Sequence, residues 1–228
     1  MRAARGVFAE KGYDAASVSE IAERAGIVEG NIYRHFENKR ALLVKVVEDW
    51  YEEMLSDYDE HLQSIRGTRN RLRYMIWRHL STIEKEPALC RLVFDELRTG
   101  ADYRRTTVFE LNRAYTQRTI HILREGIESG EFRASVPLEI VRDMIYGCIE
   151  HHTWAFLRGE GQFSVQDSAD AITDVVYAGL AANEAPRARA EGGGLLHAVR
   201  RLELVADRLE TPKKRRPHVP QGARRQSR

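Results

Sequence analysis

Cysteine is nearly absent from this 228-residue chain: Cys90 and Cys148 are the only two, each inside an apolar helical pattern. A disulfide framework or a cysteine-built metal site is therefore unsupported, and both read as small core residues. Long apolar runs are missing as well. A membrane span needs roughly 20 such residues, and stretches such as Tyr177 to Ala182 fall far short. Met1 leads straight into Arg2-Ala3-Ala4-Arg5-Gly6-Val7-Phe8. The apolar segment of about 7–15 residues that marks a secretory signal is not there, so a cytoplasmic protein is expected. No segment alternates β-branched and polar residues for long, which points to an all-α fold. A Gly-rich phosphate loop, an HExxH pair and a nucleophile–base arrangement at recognisable spacing are also lacking, so neither enzyme, cofactor nor metal is expected. His151-His152 is the one metal-like pair. Neighbouring helical side chains point about 100° apart and share an ion poorly, which favours a structural or interface role.

What is present is ordinary in bulk and uneven in detail. The length suits a medium unit plus a smaller one, since single cores stop growing before roughly 300 residues. Hydrophobic residues at 43% beside charged residues at 31% describe a globular chain. The net charge of +2 is misleading: residues 211–228 hold seven basic side chains and no acidic one, which leaves 29 basic against 34 acidic in residues 1–210. The basic character belongs to the tail, where Lys213-Lys214-Arg215-Arg216 and Arg224-Arg225 read as a solvated segment with nonspecific DNA affinity as the competing idea.

Helical periodicity runs through the rest. A first helix carrying Ala4, Val7 and Phe8 ends at Lys11-Gly12. Ser17-Val18-Ser19-Glu20 fits a capping box, in which serine and glutamate each satisfy the other's backbone amide. The short second helix turns Ile21 and Ala25 inward and closes at Gly26, and a third covers about Glu29 to His35 with Ile32 and Phe36 inside. Asn38 caps a long helix with Leu42, Leu43, Val46, Val47, Trp50, Met54 and Leu55 at helical spacing. Further helices are expected over about 68–86, from Pro87 to Leu97, over 102–129, from Pro137 through Trp154, and from Ser164 to Leu180. Pro186, an Arg/Ala alternation and Gly192-Gly193-Gly194 then read as a linker, with a short amphipathic helix at 195–209. Three segments follow: 1–48 with the helix-turn-helix pattern, 49–183 as a larger helical domain, and 184–228 as linker and tail.

The tight turn between the second and third helices presents the third to a DNA major groove. Its outer face offers Gly30, Asn31, Tyr33, Arg34 and His35. Asn31 and Arg34 suit bidentate reading of adenine and guanine, while Tyr33, His35 and the start of the long helix near Lys39 suit phosphates. Glu29 is an acid at a helix N-terminus, favourable there but no base reader.

These residues resemble the TetR family. Phe8-Ala9-Glu10-Lys11-Gly12-Tyr13, Ile21-Ala22-Glu23-Arg24-Ala25-Gly26 and Gly30-Asn31-Ile32-Tyr33-Arg34-His35-Phe36, followed by Lys39 and Leu42, match its N-terminal signature in order and spacing. Val28 departs from it, standing where the family usually has a serine or threonine, and the chain starts almost at the first helix. Leu92 to Arg98, Ile122 to Phe132 and Arg142 to Gly147, with Trp154, resemble the acyl-CoA-responsive, fatty-acid-degradation branch. The resemblance implies a homodimer built on a four-helix interface, a double-stranded operator of near-palindromic sequence, and a small hydrophobic effector, a long-chain acyl-CoA among the candidates. Trp77, Phe94, Leu97, Arg98, Tyr115, Arg118, Ile122, Met144 and Trp154 are the candidate pocket residues. Core packing competes for each apolar one and surface ion pairing for each arginine. A regulator of detoxification answering to an aromatic ligand, and a DNA-binding scaffold without ligand, stay open at this point.

Overall fold

Side-chain caps decide where several helices begin. Ser17 Oγ accepts the Glu20 amide at 3.1 Å, Asn38 Oδ1 accepts Ala41 at 2.8 Å, Thr106 Oγ1 accepts Phe109 at 3.2 Å and Ser164 Oγ accepts Asp167 at 3.2 Å. Each satisfies one of the orphan donors at a helix start, worth about 1 kcal/mol. The structure, a computed structural model, describes residues 1–182. Its elements are α1 (Arg2–Ala15), α2 (Val18–Ala25), α3 (Glu29–Tyr33), α4 (Lys39–Ser64), α5 (Thr68–Lys85), α6 (Pro87–Arg91), α7 (Thr107–Glu128), α8 (Leu138–His152), α9 (Trp154–Leu157) and α10 (Val165–Leu180). No strand forms among the described residues; one isolated bridge joins Phe132 and Ala181.

Several local expectations need correction. Gly12 does break the helical path, at φ 74°, but another turn follows and α1 runs on to Ala15. The capping box is one-sided, because the Glu20 carboxylate turns away to Lys11 Nζ at 2.6 Å instead of reaching back to Ser17. Ala22 is buried beside Val18 and Ile21 on the inner face of α2, whereas Ala25 is exposed. The segment from Pro87 does not stay α-helical: over Leu92–Leu97 it widens into a π turn, with the Arg98 amide reaching back five residues to the Val93 carbonyl at 2.9 Å. Helix α7 starts at Thr107, after a 3-10 turn at Tyr103–Arg105. Helix α8 ends at buried Thr153, so Trp154 sits on the separate short α9. Cys148 is exposed, and Cys90 alone is a core residue. The expected linker, the helix at 195–209 and the basic tail lie outside the described residues.

Helix α4 serves two halves of one core. Leu42, Leu43, Val46 and Val47 are buried near Ala4, Val7 and Phe8 of α1, while Trp50, Tyr51, Met54 and Tyr58 continue the core where α4 packs on α7. Helix α5 lies between α7 and α10. Arg73 Nε meets Asp170 at 2.5 Å and Arg69 pairs with Asp174 across the α5–α10 contact. Such exposed pairs add little; buried Leu72, Ile76, Leu80 and Ile83 dominate, at about 1.5–3 kcal/mol for each large apolar side chain taken from water. After α7 the chain returns to the end of α10, where the Arg133 amide bonds to the Leu180 carbonyl and Ala182 to Glu131, both at 2.9 Å.

Candidate DNA-reading helix and ligand cavity

The turn between α2 and α3 is made by Gly26 in the left-handed region at φ 67°, where a Cβ would be strained. Ile27 then donates to the Ala22 carbonyl at 3.0 Å and Val28 is extended, which starts α3 at an angle to α2. Val28 contributes no capping bond. Ile32 anchors the short helix in the core, and Gly30, Asn31, Tyr33, Arg34 and His35 are all exposed. Among the described residues no protein partner holds the side chains of Asn31, Tyr33, Arg34 or His35, so their donors face solvent unspent. Lys39 behaves differently. Its Nζ donates to the carbonyls of Tyr13, Asp14 and Ala16 at 2.8, 3.2 and 3.0 Å and lies 4.5 Å from the centre of the Tyr13 ring. The lysine closes the end of α1, leaving the backbone at the α4 start as its only means of meeting a phosphate. Arg24 and Glu10, bonded in fork geometry at 2.6 and 2.8 Å, tie α2 to α1.

A cavity of about 510 Å³ opens in the other half, within the range usual for small-molecule sites. Trp50, Tyr51 and Met54 of α4, His79 and Thr82 of α5, Cys90, Val93 and Phe94, Phe109, Asn112, Tyr115 and Thr116 of α7 and Tyr146 of α8 contribute to its wall. Arg98, Arg113, Arg142, Asp143 and Glu150 add the charged part. Arg98 pairs with Glu150 at 2.9 Å while lying 5.2 Å over the Phe94 ring, and Arg142 pairs with Asp143 at 2.7 Å. The wall is also hydrogen-bonded. Tyr58 and Tyr115 hydroxyls are 2.6 Å apart, His79 Nδ1 is 2.8 Å from the Tyr115 hydroxyl, Tyr51 donates to Asn112 Oδ1 at 3.2 Å, and Tyr146 meets Thr119 at 2.9 Å. Burial, with Arg98 nearby as the lesser cause, pulls the His79 imidazole down to about 4, and burial pushes Tyr146 up to about 12. The cavity surface is therefore neutral in its depth and charged toward Arg98, Arg113 and Arg142.

Of the pocket residues expected from sequence, the structure brings Phe94, Arg98 and Tyr115 together on this wall. The others lie elsewhere. Leu97 and Ile122 are buried in the core, Trp77 packs half-buried beside Tyr74, and Arg118 binds Asp59 in fork geometry at 2.8 and 2.6 Å at a separate depression. Met144 and Trp154 are 63% and 50% exposed and face away from the core. Sequence reasoning gives α4 and His79 no place on the wall, although Trp50 and Met54 at helical spacing on the long helix were a usable signal. Among the described residues no group of three or more His, Cys, Asp or Glu could hold a metal ion, and His152 is spent on Ser168 at 2.8 Å.

The model of the bacterial regulatory proteins of the tetR family matches residues 1–46, and the tetracyclin repressor-like C-terminal domain matches residues 66–180. The chain belongs to the TetR family. It is a DNA-binding transcriptional regulator with a helical ligand-binding half. The fatty acid metabolism regulator protein of Bacillus subtilis is 26% identical over 174 residues, 76% of this chain and 90% of the relative. The transcriptional repressor KstR2 of Rhodococcus jostii is 26% identical over 180 residues, 77% and 86% of the two chains. Among solved structures, the regulator FadR from Bacillus subtilis in complex with stearoyl-CoA superposes with a TM-score of 0.70 at 26% identity, covering 78% of this chain and 96% of that one. The fatty acid degradation regulator FadR from Bacillus halodurans gives 0.69 at 23% identity and shows the shared fold. These relatives place the chain beside the FadR-type branch of the family. Among the described residues no helix is long and apolar enough to cross a membrane.

Proposed function

We propose that this regulator is a cytoplasmic homodimeric repressor, without enzymatic turnover, that leaves a near-palindromic operator when a long-chain acyl-CoA fills its cavity. The observation that carries the reading is the cavity itself: an apolar, neutral depth walled by Trp50, Tyr51, Met54, Val93 and Phe94, beside Arg98, Arg113 and Arg142, which suit an anionic head group. A relative with the same fold was solved with stearoyl-CoA, which supports the choice of ligand. Residues 1–48 read DNA in this scheme, through Asn31 and Arg34 at base edges and Tyr33, His35, the open backbone at Gly30 and the α4 start at phosphates. Residues 49–183 sense and dimerise.

The dimer face is the outward side of α8 and α10. Ile140, Met144, Gly147, Cys148 and His151 line one stripe of α8, and Ala171, Val175, Ala178 and Gly179 line one of α10, all exposed. Exposed large apolar side chains at helical spacing mark an interaction surface, and small residues let helices approach closely. Two recognition helices must reach successive major grooves about 34–36 Å apart, so a small ligand-driven pivot of α4 in each subunit ends simultaneous fit. The ligand acts by binding the DNA-incompetent arrangement more tightly.

Operator release, followed by fluorescence anisotropy against acyl-CoAs of increasing length below their micellar concentrations, tests the reading. Each buried methylene contributes about 0.8 kcal/mol, so four more carbons tighten binding by up to about 3 kcal/mol until the cavity is full. Release that is flat with chain length, or equal with free CoA, would contradict it.

A further inference from the structure

The cavity is not a plain hydrocarbon sleeve, because a neutral hydrogen-bond donor on its wall, the His79 imidazole, lacks a protein acceptor among the described residues. Its direction follows from counting protons. Tyr58 and Tyr115 are both buried, and among the described residues the hydroxyl of Tyr58 hydrogen-bonds only with that of Tyr115, which hydrogen-bonds only with Tyr58 and His79 Nδ1. Both hydroxyl protons find an acceptor in one arrangement: Tyr58 donates to Tyr115, and Tyr115 donates to His79 Nδ1. The reverse direction strands a buried O–H, which is costly. Nδ1 is therefore the accepting nitrogen. The imidazole is neutral, so its single proton sits on Nε2, and His79 faces the cavity. Asn112 on the same wall is engaged instead: its Oδ1 accepts from Tyr51 at 3.2 Å and its amide lies against the Tyr103 hydroxyl. Of the other wall hydroxyls, Thr82 donates to the Arg78 carbonyl and Thr116 to the Arg113 carbonyl, while Tyr146 and Thr119 share one hydrogen bond.

We infer that the cavity selects ligands whose apolar part carries an uncharged oxygen acceptor, a ketone or hydroxyl, and that the Nε2–H of His79 is the group that reads it. The inference rests on the acyl-CoA reading of the same site and narrows it to oxygenated acyl thioesters. A saturated chain leaves this donor unmet once it expels the water that would otherwise satisfy it, whereas an oxygen at the matching depth accepts from it. His79 is thus a specificity-determining residue that acts through a hydrogen bond to the ligand. The Tyr58–Tyr115 pair fixes its tautomer.

The test uses the full chain and isothermal titration with octadecanoyl-CoA beside chain-matched analogues bearing one keto group moved stepwise along the chain. The wild type is expected to bind one of the keto isomers about tenfold more tightly than the saturated thioester. His79→Asn keeps an acceptor for Tyr115 but withdraws the Nε2–H, so it is expected to lose most of that preference while binding the saturated chain about as well. His79→Gln, which returns an N–H near the Nε2 position, is expected to recover part of it. Saturated thioesters that bind while no keto isomer does better would overturn this inference and leave the acyl-CoA reading standing. An unchanged keto preference in His79→Asn would remove His79 as the reader. Failure of every thioester to bind would bring down the parent reading and this one with it.

Discussion

Arg40 Nη1 donates to the backbone carbonyl of Glu96 at 3.1 Å, joining the first turn of α4 to the π turn that walls the cavity. Arg40 follows the residue that closes α1 and stands just beyond the recognition helix, while Glu96 lies between Phe94 and Arg98, both on the cavity wall. The π turn carries Val93 and Phe94 on the cavity wall, and its widened backbone departs from regular helical bonding. A shift there reaches the DNA-binding half through this hydrogen bond and through the packing of α1 against α6 and the π turn.

Arg40→Met is therefore expected to weaken coupling more than it weakens either binding event. Coupling between two sites is typically 1–3 kcal/mol, and losing this charge-assisted bond should reduce the ligand-induced fall in operator affinity by about fivefold to tenfold. Operator affinity measured with and without saturating octadecanoyl-CoA gives the number. A variant that releases DNA as fully as the wild type would remove Arg40 from the route.

Val28→Ser should stabilise the recognition helix. Val28 occupies the N-cap position of α3 without a capping bond and is 70% exposed, so little packing is lost on replacement. A serine hydroxyl there can accept the Gly30 or Asn31 amide, worth about 1 kcal/mol, and places a phosphate donor at the DNA face. Thermal melting should rise by a few degrees and operator affinity should improve; a lower melting temperature would show that the valine is holding something.

His79 gives stability a pH dependence of defined sign. Its folded value, about 4, lies below the ordinary 6.5, so the unfolded chain binds the proton more readily than the fold does. The stabilisation held by the neutral imidazole is complete above about pH 6.5 and is lost as pH falls to about 4, with an upper bound of about 3 kcal/mol. The groups around it are Tyr115 at hydrogen-bond distance, the Tyr146 ring at 5.0 Å and Arg98. Urea unfolding of the wild type and of His79→Asn between pH 7 and 4.5 isolates this contribution from the carboxylates. The wild type should lose more stability than the variant over that window, and parallel curves would contradict the assignment.

Gly126→Ala should destabilise the chain even though alanine is the better helix former by about 1 kcal/mol. An added Cβ would lie 2.3 Å from Phe132 Cδ2, and the ring is buried against Tyr177 with its own amide bonded to the Gly126 carbonyl at 2.8 Å. Overpacking of this kind costs about 1–3 kcal/mol. Phe132→Leu in the same chain should return part of the loss. A more stable single variant in urea unfolding would show that the ring moves aside freely.

What could be read from the sequence is what short-range chemistry dictates. Ser17, Asn38 and Ser164 cap where their side chains and the following apolar stripe require it, Pro87 opens a helix, and Gly26 makes the turn before the reading helix. The pocket was harder because α8 carries two apolar stripes. Val141, Ile145 and Ile149 face the core, while Ile140, Met144 and Cys148 repeat with the same spacing one residue earlier and face outward. Periodicity shows both stripes and ranks neither, so Met144 was assigned to a pocket and Cys148 to the core. The π turn and the Arg118–Asp59 pair depend on distant partners that no local pattern announces.

The central claim, that cavity and operator compete through two arrangements of one protein, is tested most directly by measuring linkage in both directions. Octadecanoyl-CoA affinity is measured for the dimer alone and for the dimer saturated with an operator selected from random DNA by the protein itself. Binding linkage requires the two factors to be equal, so an operator weakened twentyfold by the ligand must weaken the ligand about twentyfold in return. A matching loss in both directions is the expected result. Ligand affinity unchanged by saturating operator, with the thioester still bound, would contradict the claim.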